Sequence, residues 1–419
     1  MAREFIAGLT TFLTMSYIVV VNPSILSAEG TGMPFSGALT ATVLVAFTMT
    51  LLMGLYARLP FGVAPGMGLN AFFTYTLVIN GGIAWPVALG IVFWAGVLFL
   101  LVSVTPLRER IALAIPDTLR AATAGGIGLL LTFIGLQNAG LVAANPATMV
   151  GAGPLDHRAV LTLVGLLVMV WLSRRNNPFA YLAGIALVTV AAWLGGWVAA
   201  PATWLSAPDF TSVFLKLDIW GALSLALVPA MITVMLTDLF DSLSTFVGVA
   251  EAAQLVDDKG APRNLRQGLV VDSFATLGAG LFGSSPGTAY VESIAGIRMG
   301  GRTGLTAVVT ALCFLPCLFI APLAAAIPPY ATSGVLILVG VSMFQAVTRV
   351  SFERLEVAVP AFATLILIPL TFSITQGILW GFILHAALHA VVGRARAVTG
   401  AAWGLAAVAV ILLVIEHAN

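Results

Sequence analysis

The sequence predicts an all-α membrane protein that crosses the bilayer about fourteen times, and three observations support this fold class. Only 8% of the 419 residues are charged, whereas 60% are hydrophobic. A soluble domain carries about 25% charged residues, so this chain has too few to cover a water-facing surface. The apolar residues fall in repeated blocks of roughly 17 to 25 residues, the length that an α-helix needs to cross a bilayer. The weak period-2 alternation of a membrane β-barrel is absent.

The apolar blocks can be followed along the whole chain. Arg3 followed by apolar residues resembles a signal peptide, but no small-residue cleavage site follows, so we interpret this segment as a retained first span. A last apolar stretch, 401–415, could be a fifteenth span. The fourteen blocks before it are 5–26, 35–57, 61–79, 84–104, 118–141, 159–172, 179–198, 220–249, 268–282, 284–297, 305–321, 332–347, 357–372 and 377–391.

Basic residues in the connecting loops predict the orientation in the membrane. If Arg3 is cytoplasmic, 16 of the 18 Lys and Arg residues fall in cytoplasmic loops, and only Arg158 and Lys216 fall outside. One missed or extra span would move every later loop to the wrong side. The distribution therefore supports the span count up to Val391 and predicts a multi-pass protein of the inner or plasma membrane with a cytoplasmic N-terminus. No basic residue follows the last apolar stretch, so the side of the C-terminus stays open.

The third and tenth blocks contain Gly and Pro residues that interrupt a helix. Their sequences are FGVAPG at 61–66 and FGSSPG at 282–287, which agree at four of six positions. The blocks are seven apart, and an odd offset reverses the direction in which the chain crosses the membrane. The sequence therefore predicts two inverted repeats of seven spans, whose two breaks meet halfway through the membrane and form the substrate site of a secondary transporter.

Ionisable residues inside the apolar blocks mark candidate functional positions, because charges are expensive in a membrane. Glu292 lies six residues after Pro286, Asp238 and Asp241 lie one helical turn apart in the eighth block, and Asp272 lies early in the ninth. A buried carboxylate can accept N–H groups of a neutral heterocycle, and it can also bind a proton. Each acid could instead serve the structure alone, as a helix cap or as a polar link between spans.

Other residues at the two breaks are candidate substrate contacts. Asn70 lies five residues after Pro65, and glycines at a helix break let a ligand approach the backbone closely. Aromatic side chains can stack on a flat ring, although such side chains more often pack in the core. The candidate contacts are Asn70, Phe72, Phe73 and the backbone at Gly66, Gly68, Gly287 and Thr288.

Several classes of function are not supported by the sequence. A net charge of +1 does not favour nucleic acid as a partner. No Gly-rich loop with a following Lys indicates direct use of ATP, and neither a zinc-protease motif nor a Gly-x-Ser-x-Gly motif indicates an enzyme. The i,i+4 pairs Cys313/Cys317 and His385/His389 favour packing over a disulfide or a metal site. We therefore expect neither a metal nor a cofactor beyond a coupling ion.

Five segments of the chain resemble the azaguanine-like purine permeases, a branch of the nucleobase–cation symporter-2 family. The resemblance runs from the N-terminus to about Val391, and the fourth segment is its most specific part. These segments are REFIAGLTTFLTMSY at 3–17, APGMGLNAFF at 64–73, DLFDS at 238–242, SPGTAYVES at 285–293 and GGRTGLTA at 300–307.

This resemblance implies how the spans are divided. Residues 1–104 and 199–321 would form a core domain that moves as a rigid unit. Residues 105–198 and 322–391 would form a gate domain that carries the contact of a homodimer. The C-terminal tail 392–419 fits the fourteen-span pattern poorly, so its topology stays open.

The resemblance also implies a substrate and roles for the acids. Members take up adenine, guanine or hypoxanthine with protons, and their carboxylate and amide positions fall on Glu292, on Asp241 (with Asp238 as second choice) and on Asn70. Our hypothesis is a proton-coupled importer with an elevator-type motion, in which Glu292, Asp241 and Asp238 are the candidate proton carriers. The alternatives are an anion carrier or channel of the same fold, and an intramembrane binding protein or enzyme.

Overall fold

The computed structural model describes residues 1–105, 116–253 and 264–418. Within these ranges eight helices are long and apolar enough to cross a membrane, and four shorter apolar helices accompany them. The predicted helical, multi-pass membrane fold is therefore confirmed, whereas the count of fourteen spans stays a prediction. The predicted cytoplasmic residues Arg108, Arg110, Lys259 and Arg263 lie outside the described residues.

The first half of the chain alternates long helices with short irregular segments. π-Helical turns at 53–57 and 72–80 extend α3 and α4. The elements are α1 (Ala2–Met15), α2 (Ile18–Leu26), α3 (Phe35–Leu52), β1 (Val63–Pro65), α4 (Met67–Ala71), α5 (Trp85–Val104), α6 (Asp117–Asn138), β2 (Val142–Asn145), β3 (Met149–Ala152), α7 (His157–Arg174) and α8 (Ala180–Leu194).

The second half repeats this alternation. Its elements are α9 (Val228–Ala253), α10 (Leu265–Phe282), β4 (Gly287–Ala289), α11 (Ser293–Arg298), α12 (Gly304–Phe314), α13 (Ala321–Ala325), α14 (Pro329–Phe344), α15 (Leu355–Thr371), α16 (Ile374–Val391) and α17 (Gly400–Ala418). The last helix corresponds to the apolar stretch of uncertain topology, and it packs against α16.

Two small antiparallel sheets correct the expectation of a purely helical chain. β1 pairs with β4, and β2 pairs with β3 in a hairpin between α6 and α7. Segments of three or four residues are too short for a period-2 pattern to predict a strand. The first sheet joins the two predicted breaks, so it bears directly on the site.

The helices pack in two groups. We name α1–α5 together with α9–α12 bundle one, because α1 packs on α12, α3 on α12 and α10, and α5 on α9 and α10. We name α6–α8 together with α14–α17 bundle two, because α6 packs on α14 and α15, α7 on α8, and α15 on α16. These groups are consistent with the core and gate expected from the resemblance, although the domain boundaries remain a prediction.

The long segment between α8 and α9 is hydrogen-bonded through Asp209 to the start of α3, a helix of bundle one. Asp209 accepts hydrogen bonds from the hydroxyls of Ser36 (2.8 Å) and Ser212 (2.6 Å) and from the backbone N–H of Thr211 (3.0 Å). Its own N–H donates to the Thr40 hydroxyl at 3.1 Å. Burial raises the pKa of the Asp209 carboxyl, but the hydrogen bonds from Ser212 and Ser36 outweigh it and hold this pKa well below its usual range.

Replacing Asp209 with Ala should lower the free energy of unfolding by about 1 to 2 kcal/mol, because hydrogen bonds to a charged acceptor are lost in a partly solvated loop. Thermal unfolding of the purified protein measures this. The stabilisation by Asp209 should be complete above about pH 5 and should decline as the pH falls. The reason is that the pKa of the Asp209 carboxyl is lower in the folded protein than in the unfolded protein. Asp218→Ala, which loses one hydrogen bond from the Gly221 N–H, is the matched control and should change the midpoint less. Equal effects of both variants would contradict the assignment.

Candidate functional site

The two interrupted segments lie side by side in the structure. β1 and β4 run antiparallel, with Val63 opposite Ala289, Ala64 opposite Thr288 and Pro65 opposite Gly287. Beyond the strands, the Gly66 N–H donates to the Pro286 carbonyl at 2.8 Å. The sequence expectation that the two breaks meet is therefore correct.

At the breaks, side-chain hydroxyl groups form hydrogen bonds with backbone atoms that would bond to each other in a continuous helix. Thr50 both donates to the Val63 carbonyl and accepts from the Val63 N–H, each at 2.8 Å. The Tyr290 hydroxyl donates to the Pro65 carbonyl at 2.5 Å, and the Thr276 hydroxyl oxygen lies 3.2 Å from the Gly287 carbonyl oxygen. Extended backbone inside a membrane protein is stable only with such partners.

Asn22 connects α2 to both α3 and the second break. Its amide donates to the Thr42 hydroxyl at 2.8 Å and to the Ser284 hydroxyl at 3.1 Å, and its oxygen accepts from Ser285 at 3.1 Å. All four side chains are buried. The sequence analysis did not identify Asn22 as part of this site, although an amide inside an apolar span was a signal for it.

Glu292 lies at the end of the second break, directly before α11. The hydroxyl of Tyr17, the residue just before α2, donates to Glu292 Oε1 at 2.6 Å, and the Thr14 hydroxyl of α1 lies 3.4 Å from the Glu292 carbonyl. Tyr17 is fully buried, whereas Glu292 keeps part of its surface exposed. The carboxylate is thus held at one oxygen while the residue remains accessible.

The three aspartates near the paired strands have different surroundings. Asp241 is partly exposed, lies within electrostatic reach of Glu292, and forms no hydrogen bond or ion pair with the described part of the chain. Asp238 is fully buried and accepts from the Thr276 hydroxyl. Asp272 is also fully buried, and it accepts from the hydroxyls of Ser242 and, at 3.5 Å, Thr288. Asp241 and Asp238 were the two candidates for the functional carboxylate of the eighth block, and of these two Asp241 is the accessible one.

Asn70, Phe72 and Phe73 follow the first break and are all fully buried. The Asn70 amide nitrogen lies 3.8 Å from the Met67 sulfur, and its oxygen has no hydrogen-bond partner within the described residues. The two phenylalanine rings belong to the hydrophobic core of the protein. Their burial favours the packing role that the sequence analysis left open, and substrate contact by these three residues stays a prediction.

The glycine positions predicted to approach a substrate are instead closely surrounded by protein. A Cβ at Gly68 would lie 2.5 Å from Ile127 Cγ2, so the start of α4 approaches α6 of bundle two at this point. A Cβ at Gly287 would lie 2.9 Å from the Ala275 Cβ, so β4 approaches α10 equally closely. Thr288 is buried, with its hydroxyl 3.3 Å from that of Ser242. These small residues permit close packing, and a contact from their backbone to substrate remains a prediction.

Bundle two also contacts the site through aromatic rings. The Tyr181 ring of α8 meets the Tyr17 ring edge-on, with centroids 5.1 Å apart and an interplanar angle of 84°. Nearby, the Thr76 hydroxyl donates to the Phe372 carbonyl at 2.5 Å. The sequence analysis assigned no role to Tyr17 or Tyr181. Tyr17 closes the first of the resemblance segments, but no pattern indicated Tyr181.

The histidine and cysteine pairs and a cavity in bundle two lie away from the paired strands. His389 Nδ1 lies 2.8 Å from the His385 carbonyl, and no group of three metal-ligating residues occurs in the part of the chain described. A cavity of about 580 Å³ opens between the ends of bundle-two helices, where it is lined by residues including His157, Arg158 and Tyr330. No carboxylate lines it, so we place the candidate site at the paired strands.

Comparison with known proteins identifies the family. The model for xanthine and uracil permeases, described as "Permease family", matches residues 2–380. The chain belongs to this permease family. Adenine permease AdeP of Escherichia coli (strain K12) is 41% identical over 394 residues, which cover 94% of this chain and 88% of AdeP. Guanine/hypoxanthine permease PbuO of Bacillus subtilis (strain 168) is 41% identical over 403 residues, which cover 94% of this chain and 93% of PbuO.

Solved structures with the same fold are anion transporters. The transmembrane domain of the cyanobacterium bicarbonate transporter BicA aligns with a TM-score of 0.67 and 19% identity, covering 91% of this permease and 97% of that chain. The anion transporter Slc26a9 of mouse aligns with a TM-score of 0.62 and 10% identity, covering 94% and 68%. These likenesses show the fold of the permease and not its substrate.

Adding a methyl group at Gly68 should separate the bundles locally. Gly68→Ala should lower the free energy of unfolding by about 1 to 3 kcal/mol, the usual cost of an extra methyl in a packed interface. In a protein that already carries Ile127→Ala, the same glycine change should cost much less, because the clashing side chain is absent. Thermal unfolding measures both.

The control is Gly404→Ala in α17, where a Cβ would meet nothing within 4 Å. No destabilisation by Gly68→Ala, or an equal destabilisation in the Ile127→Ala background, would contradict the close approach of α4 and α6.

Proposed function

We propose that this permease is a secondary transporter that imports purine nucleobases, with adenine, guanine and hypoxanthine as candidate substrates. The observation that carries the proposal is the partly exposed Glu292 carboxylate, held by Tyr17 beside the paired strands. The relatives named adenine permease and guanine/hypoxanthine permease support it across more than nine-tenths of the chain.

The chemistry of the site suits a neutral heterocycle with ring N–H groups. Glu292 Oε1 already accepts a hydrogen bond from the Tyr17 hydroxyl, so Oε2 is the natural acceptor for a ring N–H. Adenine, guanine and hypoxanthine all carry such an N–H. Asp241 would accept a hydrogen bond from a second donor group of the substrate, or it would carry the coupling proton. We retain Asn70 and the backbone at Gly66, Gly68, Gly287 and Thr288 as further proposed contacts, with Phe72 and Phe73 supporting the site from the core.

Proton coupling is the proposal that fits the acids. Asp238, Asp241 and Glu292 form no ion pair with the described part of the chain, and an unpaired charge inside a membrane protein is costly. A proton bound to one of these carboxylates removes that cost, and releasing it on the cytoplasmic side couples substrate entry to the proton gradient.

The proposed architecture has fourteen spans in two inverted repeats of seven. Bundle one would be the moving core, since it contains both breaks and all the site acids, and bundle two would be the static gate and homodimer contact. The antiparallel pairing of β1 with β4 supports a two-fold relation between the repeats. An elevator-type motion would then carry the site past the gate.

Anion transport is the second candidate function, because BicA and Slc26a9 share the fold. A site for an anion favours cations or unopposed helix dipoles. Here two ionisable side chains near the breaks, Glu292 and Asp241, are partly exposed, and both are carboxylates. The surroundings of the breaks therefore favour a neutral substrate that donates hydrogen bonds.

Glu292→Gln should reduce uptake of labelled adenine, guanine or hypoxanthine at least tenfold in cells without their own purine permeases. The reason is that a hydrogen bond to a charged acceptor contributes about 1.5 to 3 kcal/mol. Glu353→Gln, a change at an exposed loop residue, is the matched control and should transport normally. Membrane levels of each variant must be equal. Unchanged uptake by Glu292→Gln would refute its role, and uptake of bicarbonate but of no purine would favour the anion carrier.

The coupling ion is tested by a pH jump in proteoliposomes with and without sodium. An inward proton gradient alone should accelerate purine accumulation, and sodium should have no effect. Asp241→Asn should lose the response to the gradient while it retains counterflow, if Asp241 carries the proton. A sodium requirement without a pH effect would contradict proton coupling.

A further inference from the structure

We propose that Tyr17 is the positioning residue of the Glu292 carboxylate, and that Tyr181 is the bundle-two residue that closes the site over this pair. The inference rests on the proposed purine transport and deepens it, because it assigns two residues that neither the sequence motifs nor the relatives indicated. Its starting point is a single chain of contacts that crosses from one bundle to the other: Glu292 to Tyr17 to Tyr181.

The first contact fixes the orientation of the carboxylate. Tyr17 lies where α1 gives way to α2, and 1% of its surface is exposed, so its ring has little freedom to move. Its hydroxyl donates to Oε1 of Glu292 at 2.6 Å, the short distance of a hydrogen bond to a charged acceptor. A glutamate side chain has three rotatable bonds, and fixing them when the substrate binds would cost conformational entropy. Because the Tyr17 hydrogen bond already holds the carboxylate, substrate binding does not carry this cost.

The backbone around Glu292 is fixed from the same side. Its neighbour Ser293 accepts from the Gly62 N–H at 3.0 Å. Glu292 is thus held through its side chain by Tyr17 and through Ser293 by the first break. Within the described residues, the only other donor to this carboxylate is the backbone N–H of Glu292 itself. We therefore assign the Oε2 side of the carboxylate to a substrate N–H.

The second contact joins the bundles. Tyr181 lies in the first turn of α8, is partly exposed, and places its ring edge-on against the Tyr17 ring at 5.1 Å. It also lies within electrostatic reach of Glu292. An edge-to-face aromatic pair is a favourable contact between two side chains that involves no backbone atom. A contact of this kind suits a surface that must open and close as bundle one moves.

The two tyrosines should therefore affect different kinetic constants. Loss of the Tyr17 hydroxyl frees Glu292, which weakens substrate binding and leaves the movement of the loaded carrier intact. Loss of the Tyr181 ring removes the closing contact, which slows the cycle and leaves binding nearly intact. A purely structural role for either residue would change stability and both constants together.

The test measures initial uptake rates of the purine that the wild type transports, in proteoliposomes. Tyr17→Phe keeps the ring and should raise KM about tenfold with Vmax within twofold of wild type. In the Glu292→Gln background the same change should have little further effect, since the two residues act as a unit. An unchanged KM for Tyr17→Phe, or full additivity with Glu292→Gln, would overturn the positioning role.

For the second residue, Tyr181→Ala should lower Vmax at least fivefold with KM within twofold, and Tyr181→Phe should retain most of the rate because the ring contact remains. Leu187→Ala, an exposed residue further along α8, is the matched control and should behave as wild type. A normal Vmax for Tyr181→Ala would overturn the closing role. Unfolding midpoints establish that each variant is folded, and failure of the wild type to transport any purine would refute the proposed function instead.

Discussion

The structure depends on one constraint: the extended backbone at two helix breaks has to find hydrogen-bond partners inside a membrane protein. β1 and β4 meet this constraint by pairing with each other, and the hydroxyls of Thr50 and Tyr290 form hydrogen bonds with backbone carbonyls of this pairing. Glu292 follows the second break directly, and α9, which carries Asp241, packs against β4. The cost of breaking two helices is thus offset by pairing them, and the pairing creates a polar site that a continuous helix would not offer.

The five segments that resemble purine permeases converge on this pairing. Glu4 in the first segment accepts the backbone N–H groups of Arg302 and Thr303 in the last, which ties α1 to the start of α12. Tyr17, at the end of the first segment, bonds Glu292 in the fourth, and Pro65 in the second lies opposite Gly287. Ser242, which closes the third, bonds Asp272. Segments that are far apart in sequence therefore contact one another in the folded protein.

Much of this could be predicted from the sequence, and the rest could not for physical reasons. Hydrophobic block length predicted the helical membrane fold, and the FGxxPG repeat predicted that Pro65 and Pro286 would meet. The register of β1 on β4 was not predictable, because three-residue strands carry no periodic signal. Tyr181 was missed because an aromatic residue in an apolar helix has no pattern that separates a bundle contact from packing. The roles of Gly68 and Gly287 depend on Ile127 and Ala275, which only the tertiary structure brings near.

The most direct test of the account is a structure of the protein determined with a transported purine bound. The account predicts the ring beside the β1–β4 pairing, with a ring N–H within hydrogen-bond distance of Glu292 Oε2 and Tyr17 still bonded to Oε1. A purine bound away from the paired strands, for example in the cavity near Tyr330, or a structure in which Pro65 and Gly287 are separated, would contradict it.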